Sequence, residues 1–262
     1  MKTKVLGISG SPRKGNSLFL LGKALEAAKA VDPEAVETTT YSFKGKTFNP
    51  CISCFSCLTH NGKCVHKDDF EELRGMWMES DAIIYSVPVY HMTYPGQVKC
   101  FIDRLGNSMF GVLRSNFPPG TEFDILPKLY KAIGNIAQGA HIFSGQESTL
   151  TDLINHALVM QSVPVQGDIW ESYIGVGGWT SNSIEKGALE KQNGEGLYDA
   201  TVAVNASLDM GRRVAETAML LRSGLLAQKD RLGSQDIYKP VYNFIEGKGW
   251  APEVPWKKDE GQ

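Results

Sequence analysis

Along most of the chain, short runs of β-branched and apolar residues alternate with longer segments in which apolar residues recur every three or four positions. The first pattern predicts buried strands, and the second predicts amphipathic helices. Strands that are separated by helices of this length form βαβ units, which build a parallel sheet. The pattern therefore predicts an α/β domain whose sheet is covered by helices.

The predicted elements alternate from the N-terminus to about residue 224. We expect strands over residues 4–9, 35–42, 82–86, 131–138 and 164–172. We expect helices over residues 17–30, 68–80, 95–106, 146–162 and 198–224. Asp68 followed by Glu71 is a capping-box pattern at the second helix, and Pro95 and Gly106 bound the third. Five strands with helices on both faces fit a flavodoxin-like, doubly wound parallel sheet in the order 2-1-3-4-5.

Two segments stand outside this alternation. Residues 106–130 form a long predicted loop, and loops of that length in compact domains are usually lids or assembly surfaces. Residues 225–262 are rich in tyrosine and tryptophan, which is unlike a disordered tail. We therefore expect a main domain over residues 1–224, with a cysteine-rich loop at 50–66. We expect the aromatic extension over residues 225–262 to dock on its own domain or on a neighbouring subunit.

Composition excludes several classes of protein. The net charge is −2 with 21% charged residues, so no basic excess points to nucleic acid. The N-terminus lacks the apolar core of a signal peptide, and no apolar run is long enough to span a bilayer. We expect a cytoplasmic protein without nucleic-acid or membrane partners, in which thiols stay reduced. Clustered cysteines in such a setting are metal ligands or redox groups rather than disulfides.

The segment from Ser9 to Ser17 follows the first strand and opens the first helix. Ligands of open α/β sheets bind at this place, and the amide groups of a helix N-terminus favour a phosphate. Gly10 and Gly15 allow the backbone to approach closely. The segment matches neither G-x-G-x-x-G nor G-x-x-x-x-G-K-[ST], which disfavours a dinucleotide fold and a P-loop. It therefore predicts an anion cradle of another kind.

Three loop motifs together resemble one family. GISGSPRKGNS (7–17) resembles the phosphate-binding loop of the NADPH-dependent FMN reductase family. SVPVYHMTYPGQVKCFIDR (86–104) resembles its second motif, and QGAHIFSGQESTL (138–150) resembles its Gly-rich loop, although Ser144 replaces the first glycine of G-G-Q-E. The resemblance implies a bound FMN, with NAD(P)H as a transient co-substrate. The cofactor-binding residues that it implies are Ser9, Ser11, Arg13, Gly15, Asn16, Ser17, Pro88, Val89, Tyr90, His91, Met92, Gly139, Ala140, His141 and Gly145.

The same loops carry the candidate catalytic residues. His91 and His141 fall in loops that the resemblance places at the flavin, and a histidine there could tune the flavin or donate a proton. Tyr90 is the third candidate. Arg104 and Cys100 lie on the helix that follows, where we expect them to pack or pair rather than react.

Four of the five cysteines fall within CISCFSCLTHNGKC (51–64). Their spacing is C-x2-C-x2-C-x6-C, formed by Cys51, Cys54, Cys57 and Cys64. A C-x2-C-x2-C run can wrap one [4Fe-4S] cluster, whereas zinc sites usually present two separated C-x2-C pairs. A cluster, zinc, a redox-active thiol set and an empty site all remain open from spacing alone. The motif resembles that of the iron-sulfur flavoprotein branch of the same family, which implies a [4Fe-4S] cluster that approaches the flavin of another subunit.

These features predict an FMN-dependent NAD(P)H oxidoreductase that moves electrons between a donor and an acceptor through FMN and the cluster. One alternative is an electron-transfer flavoprotein that exchanges electrons with ferredoxin. Another is a quinone or flavin reductase, or a flavin-binding module, whose cysteines bind zinc or nothing. We expect a small-molecule acceptor or a ferredoxin-type donor as partner. The apolar positions of the closing helix predict a homodimer or a homotetramer.

Overall fold

The computed structural model describes residues 2–117 and 126–251 of the chain. Its strands are β1 (Thr3–Ser9), β2 (Val36–Ser42), β3 (Ala82–Pro88), β4 (Ala132–Gly139), β5 (Val163–Pro164) and β6 (Val176–Trp179). Its α-helices are α1 (Asn16–Val31), α2 (Ser56–Thr59), α3 (Phe70–Glu79), α4 (Gly96–Leu113), α5 (Gln146–Val159), α6 (Ala188–Gly194), α7 (Tyr198–Ala227), α8 (Lys229–Leu232) and α9 (Lys239–Ile245). No helix in these described ranges is long and apolar enough to cross a membrane.

The strands form one sheet in the order β2-β1-β3-β4-β5, and every pairing is parallel. This confirms the predicted flavodoxin-like α/β fold with the order 2-1-3-4-5. The register aligns the carboxyl ends of the strands, since Ser9 of β1 pairs with both Ser42 of β2 and Ser86 of β3. The loops that follow these strands therefore lie along one edge of the sheet.

The fifth place in the sheet differs from the prediction of one strand over residues 164–172. It is shared by β5, which pairs with Ala132 and Ile133 of β4, and by β6, which pairs with Ile136 to Gly139. The residues between them leave the sheet, because the Asp209 carboxylate on α7 accepts hydrogen bonds from the Asp168 amide and the Ser172 hydroxyl. The fifth strand is present at its predicted start but ends at Pro164, because these side-chain bonds draw the following residues away from β4.

Helices cover both faces of the sheet. Helices α1 and α7 pack on one face, with Leu21 and Met210 among residues that have no solvent exposure. Helices α3, α4, α5 and α9 pack on the other face around Trp77 and Phe101. Burying one such large apolar side chain contributes about 1.5–3 kcal/mol. The two layers fix the strands, and the strands fix the positions of the loops at the carboxyl edge.

Helix α4 continues well beyond Gly106, where the sequence predicted its end. Its apolar side continues at helical spacing through Leu105, Met109, Val112 and Leu113, all of which are buried. This burial outweighs the cost of about 1 kcal/mol for a glycine inside a helix. Residues 106–113 of the predicted 106–130 loop are therefore helix, and residues 118–125 of it lie outside the described residues.

The C-terminal extension contacts its own chain through aromatic side chains. The Trp250 indole donates to the Met78 carbonyl at 2.9 Å, and the Tyr242 hydroxyl donates to the Leu225 carbonyl at 2.9 Å. The ammonium of Lys131, which is buried at the start of β4, lies 4.7 Å from the Trp250 ring centroid. These contacts hold the extension beside the starts of β3 and β4. Residues 252–262, including Trp256, lie outside the described residues.

Candidate functional site

The loops that follow β1, β3, β4 and β6 meet at the carboxyl edge of the sheet. Pro88 at the end of β3 pairs with Gln138, and Gly139 at the end of β4 pairs with Trp179. Open α/β sheets bind ligands outside this edge. The sequence predicts the first three loops, and the structure adds the fourth, which follows β6.

The loop after β1 is a close-fitting cradle. A Cβ atom at Gly10 would lie 2.5 Å from Cγ2 of Val98, and one at Gly15 would lie 2.7 Å from the Lys186 carbonyl oxygen. Only glycine fits at both positions. The Ser9 hydroxyl is buried without a hydrogen-bond partner among the described residues. An unused buried hydroxyl beside a glycine-lined loop fits a phosphate group.

The start of α1 supports the same interpretation. No side chain caps the helix at Gly15, so its first amide groups remain open to an anion. The Ser11 hydroxyl accepts a bond from the Arg13 amide at 3.3 Å. Ser17 is buried, and its carbonyl accepts a bond from the Ser86 hydroxyl at 2.7 Å. Its side chain therefore sits at a fixed place in the first turn of the helix.

Two predicted phosphate ligands are engaged by the chain itself. The Asn16 side-chain amide donates to the Glu185 carbonyl at 3.2 Å, and its oxygen accepts from the Leu189 amide at 3.1 Å. The Arg13 guanidinium donates to the Ile184 carbonyl at 3.2 Å. Both polar atoms of the Asn16 side chain are thus used within the fold. Arg13 uses one donor of the five that a guanidinium offers.

The loop after β3 is a tight turn from Tyr90 to Thr93. The two residues exchange backbone hydrogen bonds of 2.7 and 3.2 Å. His91 and Met92, at its tip, have left-handed φ angles of 46° and 69°. The turn leaves the side chains of Tyr90, His91 and Met92 exposed. Strand β3 ends at Pro88, and Val89 leads into the turn. The turn therefore presents an aromatic ring, an imidazole and a thioether beyond the end of β3.

The loop after β4 is closed by Ser144, the residue that departs from the glycine of the family motif. The Ser144 hydroxyl donates to the His141 carbonyl and accepts from the His141 amide, both at 2.9 Å. The Gln146 side chain also donates to the His141 carbonyl, at 2.6 Å. A Cβ at Gly145 would lie 2.5 Å from Cα of Met92, so this loop touches the Tyr90–Thr93 turn. The His141 side chain is exposed, while these three hydrogen bonds fix its backbone amide and carbonyl.

The segment after β6 is the part of the site that the sequence did not reveal. The Asn182 amide donates to the Ala140 carbonyl at 2.9 Å, and its side-chain oxygen is hydrogen-bonded to Nδ1 of His141. Residues 184–189 contact Arg13 and Asn16, as described above. A signal was present in the run VGGW before a turn-forming TSNS, which is typical of a short strand and its loop.

The four clustered cysteines line one recess beside α4. The volume of this recess, including the part that is open to solvent, is about 370 Å³. Arg104 and His66 also line it. Burial, and then the neighbouring thiols of Cys64, Cys51 and Cys54, raise the pKa of Cys57. Within the described ranges, no three or more His, Cys, Asp or Glu residues are arranged to hold a metal ion. Four thiols around one recess nevertheless form the donor set of an iron-sulfur cluster or zinc.

The carboxylates of the predicted capping box also hold the cysteine loop. Asp68 accepts bonds from the Asn49 amide at 2.8 Å and from two Arg104 nitrogens at 2.7 and 2.9 Å. Glu71 accepts a bond from the Cys64 amide at 2.9 Å. Asp68 also accepts a bond from the amide of Phe70, the first residue of α3, at 3.3 Å. Asp68 therefore caps the helix as predicted, whereas the Glu71 half of the capping box is wrong, because the Cys64 amide and Arg74 engage that carboxylate.

The ion pair between Arg104 and Asp68 is buried, with side chains 1% and 2% exposed. Burial opposes both charges. Hydrogen bonds from Arg104 and Asn49 nevertheless lower the pKa of Asp68 well below its usual range. The Asp68 carboxylate, followed by the Cys64 thiol, raises the pKa of Arg104. The guanidinium also lies 4.2 Å from the Phe70 ring centroid. A paired cation therefore stands at the wall of the cysteine recess.

Helix α4 supports the loop from below through small residues. A Cβ at Gly111 would lie 2.1 Å from the Cys57 carbonyl oxygen, so the loop rests directly on the helix backbone. The Ser108 hydroxyl donates to the Gly62 carbonyl at 2.6 Å. Gly62 has a φ of 80°, and its amide donates to the Cys57 carbonyl at 2.9 Å. The loop is thus held by bonds to its backbone, and the recess lies between it and α4.

The rim of the recess is apolar and basic. Ile52 and Phe55 are 60% and 56% exposed, and Val65 is also exposed. Lys63 and Lys67 are exposed, and residues 49–67 contain no Asp or Glu. The exposed apolar side chains of this loop therefore lie beside two exposed lysines.

Two further histidines and Cys100 lie at or near these regions. The His66 side chain lines the recess, and its Nε2 is buried without a hydrogen-bond partner among the described residues. The imidazole of His60 is bonded to the Ser56 carbonyl. Cys100 is partly buried on α4, and burial raises the pKa of its thiol, consistent with packing. His66 is therefore the histidine that lines the recess.

Comparisons with known proteins agree with both halves of this site. The profile of the NADPH-dependent FMN reductase family matches residues 3–167. An iron-sulfur flavoprotein of Methanocaldococcus jannaschii is 31% identical over 221 residues, covering 84% of this chain and 99% of that protein. An iron-sulfur flavoprotein of Archaeoglobus fulgidus is 30% identical over 190 residues, covering 72% of this chain and 89% of that protein.

Solved structures show the same fold at lower identity. RosB bound to 8-demethyl-8-formylriboflavin-5'-phosphate superposes with a TM-score of 0.58 at 13% identity, covering 90% of this chain and 89% of that chain. A flavone reductase superposes with a TM-score of 0.54 at 20% identity, covering 83% of this chain and 63% of that chain. At these identities the likeness concerns the flavodoxin-like architecture alone.

Proposed function

Because the chain belongs to the NADPH-dependent FMN reductase family, we propose that it is an iron-sulfur flavoprotein. Membership of the family makes it an FMN-dependent oxidoreductase. In the finer proposal, electrons pass between NAD(P)H or another donor and an acceptor through FMN and a [4Fe-4S] cluster. The observation that carries this proposal is the recess in which four thiols meet, in a loop that two helices hold by its backbone.

The loops at the carboxyl edge would hold FMN. FMN, when bound, accepts electrons in pairs and releases them singly, which joins hydride chemistry to one-electron transfer. The open amides of α1, the orphaned Ser9 hydroxyl and the free donors of Arg13 suit its phosphate. The exposed side chains of Tyr90 and Met92 would shield the ring from water. His91, His141 and Tyr90 are the groups that could hold or move a proton beside it.

Cys51, Cys54, Cys57 and Cys64 would hold the cluster, which would supply one-electron transfer. Three cysteines at C-x2-C-x2-C favour a cluster over zinc, because zinc knuckles present two separated pairs. The paired guanidinium at the recess wall also suits a site that carries negative charge on its sulfurs. The full length of an iron-sulfur flavoprotein aligns with this chain, which supports the same choice.

The arrangement of the two sites supports a homodimer or a homotetramer. The Tyr90–Thr93 turn precedes α4, whereas the cysteine recess lies beside Arg104 and Cys57 contacts Gly111. Eight residues of α-helix separate Gly96 from Arg104 and fifteen separate it from Gly111, a rise of about 12–22 Å. Electron transfer from the flavin of one subunit to the cluster of another would avoid this separation. We place the protein in the cytoplasm, where the thiols stay reduced.

The defining experiment is an anaerobic preparation assayed for FMN, iron, acid-labile sulfide and zinc. We expect FMN, with about four iron and four sulfide per chain, and cluster absorption beneath the flavin spectrum. Cys54→Ser should lose iron and retain FMN. Cys100→Ser is the matched control, because that thiol lies outside the loop, and it should retain both. A wild-type protein that carries zinc, or FMN without iron, would contradict the cluster.

A second candidate function is electron exchange with an acidic ferredoxin-type protein, favoured by the basic and apolar rim of the recess. In that case, a reduced ferredoxin should reduce the flavoprotein, and the rate should fall with added salt. Lys63→Glu combined with Lys67→Glu should slow this reaction and leave reduction by NAD(P)H unchanged. If NAD(P)H reduces the protein rapidly and ferredoxin does not, a small-molecule acceptor is favoured instead.

A further inference from the structure

Residues 180–187, termed here the 180–187 segment, leave β6 at the carboxyl edge with a defined shape. Ser181 and Asn182 have left-handed φ angles of 47° and 69°. The Thr180 hydroxyl is bonded to the Ser183 carbonyl at 2.5 Å, and the Gln192 side chain donates to the Thr180 carbonyl at 3.0 Å. One bond within the segment and one from α6 therefore fix its shape, apart from its contacts with the loops after β1 and β4.

One part of the segment supports the phosphate loop. The Ile184 carbonyl accepts a bond from the Arg13 guanidinium, and the Glu185 carbonyl accepts one from the Asn16 amide. The Lys186 carbonyl oxygen would lie only 2.7 Å from a Cβ atom at Gly15. Three successive carbonyl groups thus face three residues of the phosphate loop and leave the α1 amides free.

The other part of the segment supports the His141 loop. The Asn182 amide donates to the Ala140 carbonyl, and its side-chain oxygen is bonded to Nδ1 of His141. An amide oxygen accepts from a protonated nitrogen, so this bond places the proton on Nδ1 and leaves Nε2 as an acceptor. Both side chains are exposed. The pair therefore links the segment to the loop proposed to hold the flavin ring, at a place that a ligand can reach.

We propose that the 180–187 segment is a fourth wall of the FMN site, and that Asn182 is a positioning residue that fixes the ring and tautomer of His141. This inference rests on the proposed binding of FMN. The segment bridges two loops that the sequence assigns to the phosphate and to the ring, and it contacts both through named bonds. The family profile ends at residue 167, so the segment lies beyond the matched region.

The test uses Asn182→Gly, because glycine retains the left-handed backbone while it removes the side-chain acceptor. In the full-length protein with the other histidines as internal references, ¹⁵N NMR should show loss of the single Nδ1–H tautomer of His141. The dissociation constant of FMN, measured by quenching of flavin fluorescence, should rise about tenfold, the order expected for one lost hydrogen bond. Asn182→Asp retains an acceptor and should restore the Nδ1–H tautomer.

Asn193→Gly in the neighbouring α6 is the matched control and should change neither the tautomer nor FMN binding. If Asn182→Gly folds, binds FMN within twofold of wild type and keeps the His141 tautomer, the inference is overturned. If Asn182→Gly does not fold, the wild-type ¹⁵N spectrum decides, and a His141 ring without the Nδ1–H tautomer overturns the inference. A wild-type protein that does not bind FMN would instead overturn the proposed function, so the two failures are distinguishable.

Discussion

The cysteine loop and the flavin loops are held in opposite ways. The cysteine loop is held through its backbone, since Asp68, Glu71 and Ser108 bond to amides and carbonyls of residues 49–64. The loops proposed to hold FMN have backbone bonds as well, but they also engage side chains that were expected to bind the cofactor, such as Asn16 and His141. The bonds that hold the cysteine loop leave its four thiols around one recess, whereas Asn16 and His141 would serve both structure and binding. At the cysteine loop, substitution of a thiol should affect metal binding rather than stability. At the loops proposed to hold FMN, a single substitution should affect both stability and binding.

The strongest way to test this comparison is to break the buried ion pair behind the cysteine loop. Arg104→Gln leaves the Asp68 carboxylate buried without its cation, and such losses cost about 3–5 kcal/mol. We expect urea unfolding to show this loss, and iron assays to show loss of metal. Flavin binding should persist in the folded fraction, because none of the flavin loops contacts the pair.

The matched control is Arg222→Gln, which removes a half-buried partner of Asp81 at the start of β3. It should lower stability less and leave the iron content unchanged. Equal loss of iron and FMN from Arg104→Gln would mean that the two sites are not supported separately.

A pair of glycines on α4 gives the next largest effect. Gly111→Ala places a methyl group against the Cys57 carbonyl, whereas a Cβ at Gly106 meets nothing within 4 Å. Overpacking of this kind costs about 1–3 kcal/mol, and Ala at an open helical position gains up to about 1 kcal/mol. We therefore expect Gly111→Ala to lower the denaturation midpoint and the iron content, and Gly106→Ala to raise the midpoint. If Gly111→Ala keeps full iron, the loop does not depend on its contact with α4.

The same residues show how far the sequence could go. Spacing alone singled out the cysteines, because ligand spacing is a local property of the chain. The strand order also followed from the alternation of patterns. The helix end at Gly106 was wrong, because side chains beyond it are buried. The Glu71 half of the capping box was also wrong, because the Cys64 amide and Arg74 engage its carboxylate. The bond between Asn182 and His141 joins residues 41 positions apart, and only the pairing of β6 with β4 brings them together.

Acid should lower the stability of the fold through His156, which lies in the last turn of α5 and packs against Tyr85 of β3. Burial lowers the pKa of His156 to about 4, and its Nε2 lies 3.1 Å from the Tyr85 hydroxyl. The folded state therefore holds the neutral ring, while the unfolded chain takes up a proton below about 6.5. Stability should be complete above that value and fall toward pH 4 by up to about 1.4 kcal/mol per unit.

His156→Gln retains an acceptor for Tyr85 and removes the titrating ring. Urea unfolding between pH 4 and 7 should show a shallower acid decline for this variant than for wild type. Identical slopes for the two proteins would mean that other groups cause the decline.

The smallest expected effect concerns Ser144, where the chain departs from the glycine of the family motif. Ser144→Gly removes two bonds of 2.9 Å to His141 and frees the backbone of the loop. A net hydrogen bond contributes about 0.5–1.5 kcal/mol, so FMN should bind a few times more weakly, with unchanged iron. Ser144→Ala, the control, removes the hydroxyl without adding backbone freedom and separates the two causes in fluorescence titrations. If Ser144→Gly binds FMN more tightly than wild type, the hydroxyl restrains the loop away from its flavin-bound shape, and the loops after β4 and β6 must rearrange when FMN binds.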